Sequence, residues 1–357
     1  MLKNQGRSAR RRSQHLPHSR FFQVIADSPG GPRGDAQLSE QLKSDISNLM
    51  LLCDVHHRLV DKIDVPGHPA NRLQAMKTAH ERRIEIVSAI QENKQSHVLL
   101  YGANVGEHSS PVSYRAAAAA MLPDWYPADS MPLSLGMVNS SLRDATPEFW
   151  AVEKTHLQAK FAEIVRARLD QHTVQHLSVF ALAPQPLLIL LGTLLCDIVP
   201  AEVYQPHREP PTWRWQTEPA SSDYIVTEPE DVRGQPALVL AISATVVDER
   251  ITSIIGPDVA IWRVTVQLPN NDVLKSKGQA ERFRQVMRPL LDRLKARHGE
   301  RATIHVFPAM PAALAVEFGR VIMPKADLPM VIYDQSAKRG GFIRALETGE
   351  ARPTEAG

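Results

Sequence analysis

Apolar and polar positions along the second half of the chain form blocks that predict buried strands and amphipathic helices. Residues 236–246 and 259–268 are rich in branched and aromatic side chains, which predicts strands buried on both faces. Residues 279–299 place apolar side chains on one side and arginines on the other, which predicts an amphipathic helix that ends at Gly299. Residues 146–170 begin with Thr-Pro-Glu and predict another helix. Together these blocks predict an α/β fold.

One apolar run has the length of a membrane span. Residues 177–196 contain no charged side chain over 20 positions. Pro184 and Pro186 interrupt this run, so it predicts a strand, a loop and a short helix instead. We therefore expect no membrane partner.

The same run is one copy of an internal repeat. Residues 179–192 align with residues 306–319 at one constant offset, which matches Gly192 with Gly319. Each copy has the pattern of a strand, a proline-bearing loop and a helix. The repeat predicts two related α/β halves, each Rossmann-like.

Charge is distributed unevenly along the chain. Residues 1–100 carry 15 Lys and Arg against 10 Asp and Glu, whereas the remainder carries 26 against 29. This basic excess permits a polyanionic partner for the N-terminal part, although it is also typical of a solvated surface. Residues 105–122 are small and polar and predict a linker. We expect a basic arm over residues 1–20, a first domain over 21–104 and a second domain over 123–357.

Cysteine usage bears on the compartment. The chain has two cysteines, Cys53 and Cys196, far apart in sequence. A disulfide framework and a four-cysteine zinc site are therefore excluded. The first 20 residues are basic and lack the apolar core of a secretory signal. We expect a cytoplasmic protein.

Two adjacent histidines follow an apolar run that starts after Asn48. Asp61 follows His57 at i+4, which places both side chains on one face of a predicted helix, whereas His56 points elsewhere. A Gly-Gly turn at residues 30–31 lies upstream. An imidazole and a carboxylate at this spacing are within reach of one metal ion. The alternative is a surface turn that enters an amphipathic helix.

These residues lie in three stretches, IADSPGGPRGD, NLMLLCDVHHRLVDK and GHPANRLQAMKTAHERRI, between residues 25 and 84. This segment resembles the HNH endonucleases, and more closely those fused to a SAVED domain in bacterial anti-phage signalling, the CBASS effectors. The resemblance implies a small ββα-metal module that cleaves double-stranded DNA with Mg²⁺ or another divalent metal. It implies that His57 and Asp61 hold the metal, that His56 assists, and that Asn48 orients the catalytic base. It also implies a homo-oligomer, from a dimer to a tetramer, as the cutting species.

One position departs from the family pattern. Gln23 stands where the family has the first-strand histidine that serves as the general base. Glutamine cannot accept a proton at neutral pH. Three explanations stay open: an inactivated nuclease, a start of the chain that differs from the authentic start of the gene, or His15 or His18 as a substitute base. The alternative function is therefore a catalytically inactive module attached to a sensor or scaffold.

The rest of the chain, from about residue 120 to residue 357, resembles the SAVED domain. The most family-like stretch is IHVFPAMPAALAVEFGRVIMPKADLPMVIYDQ, residues 304–335. The resemblance implies two fused CARF-like, Rossmann-like halves and a pocket for a cyclic di- or trinucleotide messenger. A weaker alternative is an enzyme that degrades the messenger in this pocket.

Candidate ligand contacts follow from the fold. Open α/β sheets bind ligands at the carboxyl ends of their strands, where loops and helix N-termini offer N–H groups to phosphate. This rule selects residues of four predicted strand ends: Ala181, Leu182, Pro184, Ser243, Thr245, Pro308, Ala309, Met310, Pro311, Tyr333, Asp334 and Gln335. Trp213 and Trp215 are candidates for base stacking, which contributes about 1 to 3 kcal/mol per base, with Arg208 nearby. Lys275 and Lys277 are candidates for phosphate contact. The alternative is a structural role for the two tryptophans, a solvated loop for the two lysines and a place in the core for Tyr333.

Overall fold

The fold is described from a computed structural model. It describes residues 19–89, 93–105, 112–137, 142–144, 146–196, 199–217, 223–336 and 341–348. His15 and His18, and most of the predicted arm, lie outside the described residues. The chain divides between residues 89 and 90 into two compact units.

The first unit is built on an antiparallel hairpin. Strand β1 (Ser19–Gln23) pairs with strand β2 (Leu49–Cys53), with Phe22 opposite Met50. The helices are α1 (Leu38–Gln41), α2 (Asp54–Arg58) and α3 (Ala70–Ser88), with a 3-10 turn at Ile46–Asn48 and a π-helical turn at Leu59–Ile63. The π-helical turn continues α2, so the segment from Asp54 to Ile63 is one helical stretch.

A small core joins the hairpin to the helices. Phe22 and Val24 from the first strand and its exit pack with Val60 and Leu73, and all four are buried. Alternation along β1 places Phe22 inside and leaves Phe21 exposed, as expected for a sheet with one solvated face. The core fixes the position of the helical stretch that carries the two adjacent histidines.

The second unit begins with a largely parallel sheet. Its strand order is β4-β3-β6-β7, and β5 also pairs with β3. The strands are β3 (Gln95–Gly102), β4 (Tyr126–Pro127), β5 (Leu133–Ser134), β6 (Leu177–Leu182) and β7 (Ala201–Tyr204). The helices are α4 (Tyr114–Met121), α5 (Pro147–Lys160), α6 (Ala167–Asp170) and α7 (Gln185–Leu195), and a π-helical turn at Phe161–Arg166 joins α5 to α6.

A second sheet follows in the same unit. Its strand order is β13-β12-β11-β9-β10-β8, with antiparallel strands at both edges and parallel strands inside. The strands are β8 (Ile225–Thr227), β9 (Gln235–Ala241), β10 (Val259–Thr265), β11 (Ile304–Ala309), β12 (Met330–Ser336) and β13 (Gly341–Thr348). The helices are α8 (Glu249–Ile255), α9 (Lys277–His298) and α10 (Ala312–Val321).

The apolar run with the length of a membrane span forms β6 and α7, with Pro184 at the start of the helix, as predicted. The amphipathic segment predicted over 279–299 forms α9. This helix begins with a capping box formed by Ser276 and Gln279. Among the described residues, none of the helices is long and apolar enough to cross a membrane.

The internal repeat is visible in the fold. Strands β6 and β11 occupy equivalent positions at the offset predicted from the sequence, and each is followed by an apolar helix and a parallel neighbouring strand. Helices α7 and α10 pack directly against each other, so the two halves meet through their repeated elements.

Two glycines bring the backbones of these helices into close contact. A Cβ atom at position 192 would lie 2.1 Å from the carbonyl oxygen of Val316, and one at position 319 would lie 2.0 Å from that of Ile189. Ile189 and Val316 are equivalent in the repeat, as are Gly192 and Gly319, so the contact is reciprocal. The two halves are therefore related by an approximate twofold axis through the helix crossing.

The boundary between the units falls before β3. That strand was placed in the first domain by the predicted range 21–104, but it pairs in parallel with β6 of the second unit. Within the predicted linker 105–122, helix α4 buries Ala117 and Met121 against the first sheet. The small and polar residues of this stretch are typical of a linker, so the sequence did not predict a helix here. The alanines of α4 permit close packing on the sheet.

Candidate functional site

The first unit has a cleft beside its hairpin. Its volume is about 350 Å³, and its lining combines the hairpin with the loop after β1 and the helical stretch. The lining residues are Phe21, Phe22, Gln23, Ala26, Asp27, Pro32, Arg33, Leu49, His57 and Asp61. Gln23, His57 and Asp61, three of the predicted site residues, therefore face one cleft.

Asn48 connects the two sides of the hairpin. Its Oδ1 accepts a hydrogen bond from the backbone N–H of Ile25 at 2.8 Å, and its Nδ2 donates to the carbonyl oxygens of Ile25 and Leu42 at 2.8 and 3.2 Å. Asn48 is buried. The side chain satisfies the backbone of the loop after β1 and does not line the cleft.

Gln23 and His56 have partners of their own. The amide of Gln23 donates to the carbonyl oxygen of Lys43 at 3.0 Å. His56 is exposed, and its Nδ1 lies 3.0 Å from Sγ of Cys53. A hydrogen bond from the backbone N–H of His56, followed by the imidazole, lowers the pKa of the Cys53 thiol. The assisting role of His56 stays a prediction: Nδ1 of the ring is engaged by Cys53, whereas that contact does not involve Nε2.

His57 and Asp61 lie close together, as their i+4 spacing predicted, but the carboxylate is already occupied. Nδ1 of His57 is 3.9 Å from Oδ2 of Asp61, and Nη2 of Arg33 is 2.5 Å from Oδ1 of Asp61. Within the described parts of the chain, no group of three His, Cys, Asp or Glu side chains is placed to hold a metal ion. The donor set present here does not fit the predicted Mg²⁺ site, because one ligand is paired with a guanidinium and a third is missing from the described residues.

The predicted ligand-binding segments of the second unit meet at one edge. The backbone N–H groups of Ile242 and Ser243 donate to the carbonyl oxygen of Ala309 at 2.9 and 2.7 Å, which joins the end of β9 to the end of β11. The N–H of Met310 donates to Oε1 of Gln185 at 3.2 Å, which joins the β11 end to the start of α7, next to Pro184. Three of the four predicted segments are thus adjacent.

Burial differs among these predicted contacts. Pro184, Ala181, Pro308, Ala309, Met310 and Pro311 are buried, Leu182 and Ser243 are half-buried, and Thr245 and Gln335 are exposed. Tyr333 stacks on Phe307 with ring centroids 4.4 Å apart, and its hydroxyl lies 2.9 Å from Nδ1 of His305. Tyr333 is buried in the core of the second sheet, and this burial raises the pKa of its phenol.

Asp334 is a buried acid at the carboxyl end of β12. Burial, and then the nearby carboxylate of Asp144, raise its pKa to about 7. An acid with this environment accepts a proton easily at neutral pH.

The two tryptophans pack on the first sheet. Trp213 contacts the ring of Phe180 edge-on at 5.4 Å, and Trp215 stacks on Tyr204 at 6.3 Å. Nε1 of Trp215 donates to Oε1 of the buried Glu202 at 3.1 Å. Both side chains are half-buried. Their contacts are those expected if the two tryptophans pack within the protein instead of stacking on a base of the ligand.

The two lysines are paired with carboxylates. Lys275 contacts Asp272, and Nζ of Lys277 lies 2.6 Å from Oε2 of Glu202. A phosphate would compete with a carboxylate at either ammonium group. Arg208 is exposed at the turn after β7.

Sequence reasoning missed three side chains that organise these sites. Arg33 lies two residues after the recognised Gly-Gly turn, and its partner Asp61 had been assigned to a metal. Gln185 and Gln205 accept hydrogen bonds from backbone N–H groups near the start of α10, at Met310 and Ala313. The signal available for Gln185 was its position as the first residue after the repeated proline.

The duplicated α/β core brings the ends of β9 and β11 and the start of α7 together at one edge, and open α/β sheets commonly bind ligands at such an edge. The sequence model of the family described as "SAVED: SMODS-associated and fused to various effectors sensor domain" matches residues 157–347, more than half of the chain. The chain belongs to the SAVED family.

Solved structures of low sequence identity are among the proteins similar to this chain. The Cap4 SAVED/CARF-domain containing receptor of Acinetobacter baumannii with the cyclic trinucleotide 2'3'3'-cAAA has 12% identity and a TM-score of 0.45, over 88% of this chain and 60% of that chain. The same receptor with 3'3'3'-cAAA has 13% identity and a TM-score of 0.44, over 88% and 67%. The Moraxella osloensis Cap4 receptor has 12% identity and a TM-score of 0.42, over 62% and 48%. This chain thus spans about 60% of the first of these structures. No curated protein matches the chain.

Proposed function

We propose that the second unit is the receptor for a cyclic di- or trinucleotide messenger of anti-phage signalling, and that the messenger binds at the carboxyl edge shared by the two halves. The observation that carries this proposal is the reciprocal crossing of α7 and α10, which sets the ends of β6 and β11 side by side. A ring with repeated phosphates suits a duplicated edge, because each half starts one helix there and the N-terminus of a helix attracts negative charge. Membership of a sensor family supports the same proposal.

A charge placed at this edge is expected to weaken messenger binding. Gln185→Glu keeps the size of the side chain and an oxygen for the N–H of Met310, but it adds a negative charge next to the proposed phosphates. We expect binding at least about 10-fold weaker, since like charges at close range disfavour association by more than about 1.4 kcal/mol. Equilibrium binding of labelled cyclic oligonucleotides measures the effect.

The matched control is Gln158→Glu. Gln158 is exposed and lies with the C-terminal part of α7, away from the strand ends. Binding by this variant should equal that of the unchanged protein. Equal losses in both variants would mean that the messenger does not bind at the proposed edge.

For the first unit we propose a catalytically inactive ββα module of the HNH type that serves as a scaffold for the sensor. Two contacts favour this alternative over the metal-dependent endonuclease: Gln23 at the position of the base donates its amide to Lys43, and Asp61 is paired with Arg33. The endonuclease, its divalent metal and its oligomer remain predictions from the family resemblance. Degradation of the messenger remains a weaker prediction, which linear product from labelled messenger would reveal.

Plasmid nicking distinguishes the two candidate functions of the module. With MgCl₂ and a panel of cyclic oligonucleotides, we expect supercoiled plasmid to stay intact with the unchanged protein and with Gln23→His, since a new base leaves Asp61 bound to Arg33. Gln37→His, at an exposed glutamine of the same unit, is the control. Cutting by Gln23→His alone would restore the endonuclease interpretation and assign the loss to position 23.

A further inference from the structure

Arg33 connects three parts of the first unit. Its Nε donates to the carbonyl oxygen of Val24 at 2.8 Å, its Nη1 to that of Val60 at 3.1 Å, and its Nη2 to the carboxylate of Asp61 at 2.5 Å. Val24 follows the first strand, and Val60 and Asp61 belong to the helical stretch. The planar guanidinium, with five donors in a fixed arrangement, therefore joins the hairpin to the helix.

The environment of Arg33 is that of an internal residue. Its side chain is 7% exposed, and the guanidinium lies over the ring of Phe22 at 5.1 Å from the centroid. The backbone of Arg33 has φ of 58°, a left-handed conformation that is unusual for a residue with a side chain. Such a conformation persists where surrounding contacts hold it in place, and here the three hydrogen bonds do so.

The charges around the cleft come from few groups. Arg33 faces Asp61 directly, His57 lies beside the other oxygen of Asp61, and Asp27 lines the cleft from the loop. The ring of Phe22 packs edge-on against His57 at 5.6 Å. A divalent ion bound to Asp61 and His57 would share the carboxylate with a buried guanidinium and would be repelled by it.

We propose that the guanidinium of Arg33 is the permanent cation of the first unit and takes the structural place of the predicted divalent ion, so that the hairpin and the helical stretch stay together without metal. This inference is independent of the messenger site in the second unit. It changes the expected chemistry of the cleft, because the carboxylate that would bind a metal is instead a structural partner.

Removal of the guanidinium tests the proposal. In Arg33→Met the half-buried carboxylate of Asp61 loses its guanidinium partner and the carbonyls of Val24 and Val60 lose a donor, so we expect backbone amides of residues 19–63 to exchange with deuterium about 100-fold faster or more. The matched control is Arg58→Met, which breaks the exposed pair between Arg58 and Asp54 on the same helical stretch. There we expect acceleration of at most about fivefold, because exposed ion pairs contribute little. Arg33→Lys, which keeps the charge without the planar fork, should fall between the two.

Metal content supplies a second readout that does not depend on a substitution at Arg33. The full-length protein is dialysed against MgCl₂, MnCl₂ or ZnCl₂ and then against metal-free buffer, and bound ions are measured by mass spectrometry beside His57→Ala. We expect no His57-dependent ion and the same exchange rates in EDTA as in MgCl₂. One ion per chain that disappears in His57→Ala would overturn the proposal, as would Arg33→Met with the exchange rates of Arg58→Met.

Discussion

Alanine at position 319 is expected to destabilise the second unit by about 3 kcal/mol or more, the upper range for overpacked cores. The added Cβ would lie 2.0 Å from the carbonyl oxygen of Ile189 and 2.8 Å from Cα of Gly192. Both neighbours are backbone atoms of α7, so the two helices must separate, and the apolar contacts around the crossing are lost. Denaturant unfolding of the full chain, followed by hydrogen exchange in α7 and α10, measures this effect.

Because the contact between α7 and α10 is reciprocal, a substitution at the other glycine of the crossing should have the same effect. Gly192→Ala should destabilise the protein to a similar degree, because its Cβ would lie 2.1 Å from the carbonyl oxygen of Val316. The double variant should be less destabilised than the sum of the two, since one separation of the helices relieves both clashes. Gly30→Ala is the control, because a Cβ there meets no atom within 4 Å. Strict additivity of the two helix variants would contradict a shared crossing.

Asn48→Ala is expected to destabilise the first unit by about 2 to 4 kcal/mol, because it leaves three partly buried backbone groups without this hydrogen-bond partner. The amide of Asn48 bonds to both the N–H and the carbonyl of Ile25 and to the carbonyl of Leu42. Without it, the loop after β1 loses its connection to the start of β2. Hydrogen exchange of residues 19–53 should accelerate, while exchange in the second unit should not change.

Asn71→Ala is the control for this variant. The side chain of Asn71 is exposed, and its Oδ1 accepts only a local hydrogen bond from the N–H of Arg72 among the described contacts. We expect a change within about 0.5 kcal/mol, as for most surface substitutions. Similar losses for Asn48→Ala and Asn71→Ala would show that the buried amide has no special role.

The duplicated fold was predictable because it depends on periodicity. Buried parallel strands leave continuous apolar runs, and the prolines at positions 184 and 311 mark the starts of the two repeated helices. The alignment predicted that Gly192 and Gly319 are equivalent positions of the repeat, but it did not predict that the two glycines are in contact. Their meeting at the helix crossing depends on the packing of two halves that the sequence alone does not orient.

The charged side chains were less predictable because their partners are distant in sequence. Lys277, whose contact with a phosphate stays a prediction, pairs with Glu202, 75 residues away in the sequence. Asp61 was assigned by its local spacing to His57, although its guanidinium partner lies 28 residues upstream. Local spacing places a side chain on a face, whereas the tertiary fold decides which charge it meets.

The proposed function of the second unit is to bind a cyclic oligonucleotide. Isothermal titration calorimetry of the full-length protein with a panel of cyclic di- and trinucleotides tests it most directly, with the linear counterparts as controls. We predict saturable heat with at least one cyclic compound, at one ring per chain, and none with its linear form. The absence of heat with every cyclic compound of the panel would contradict the proposed receptor function.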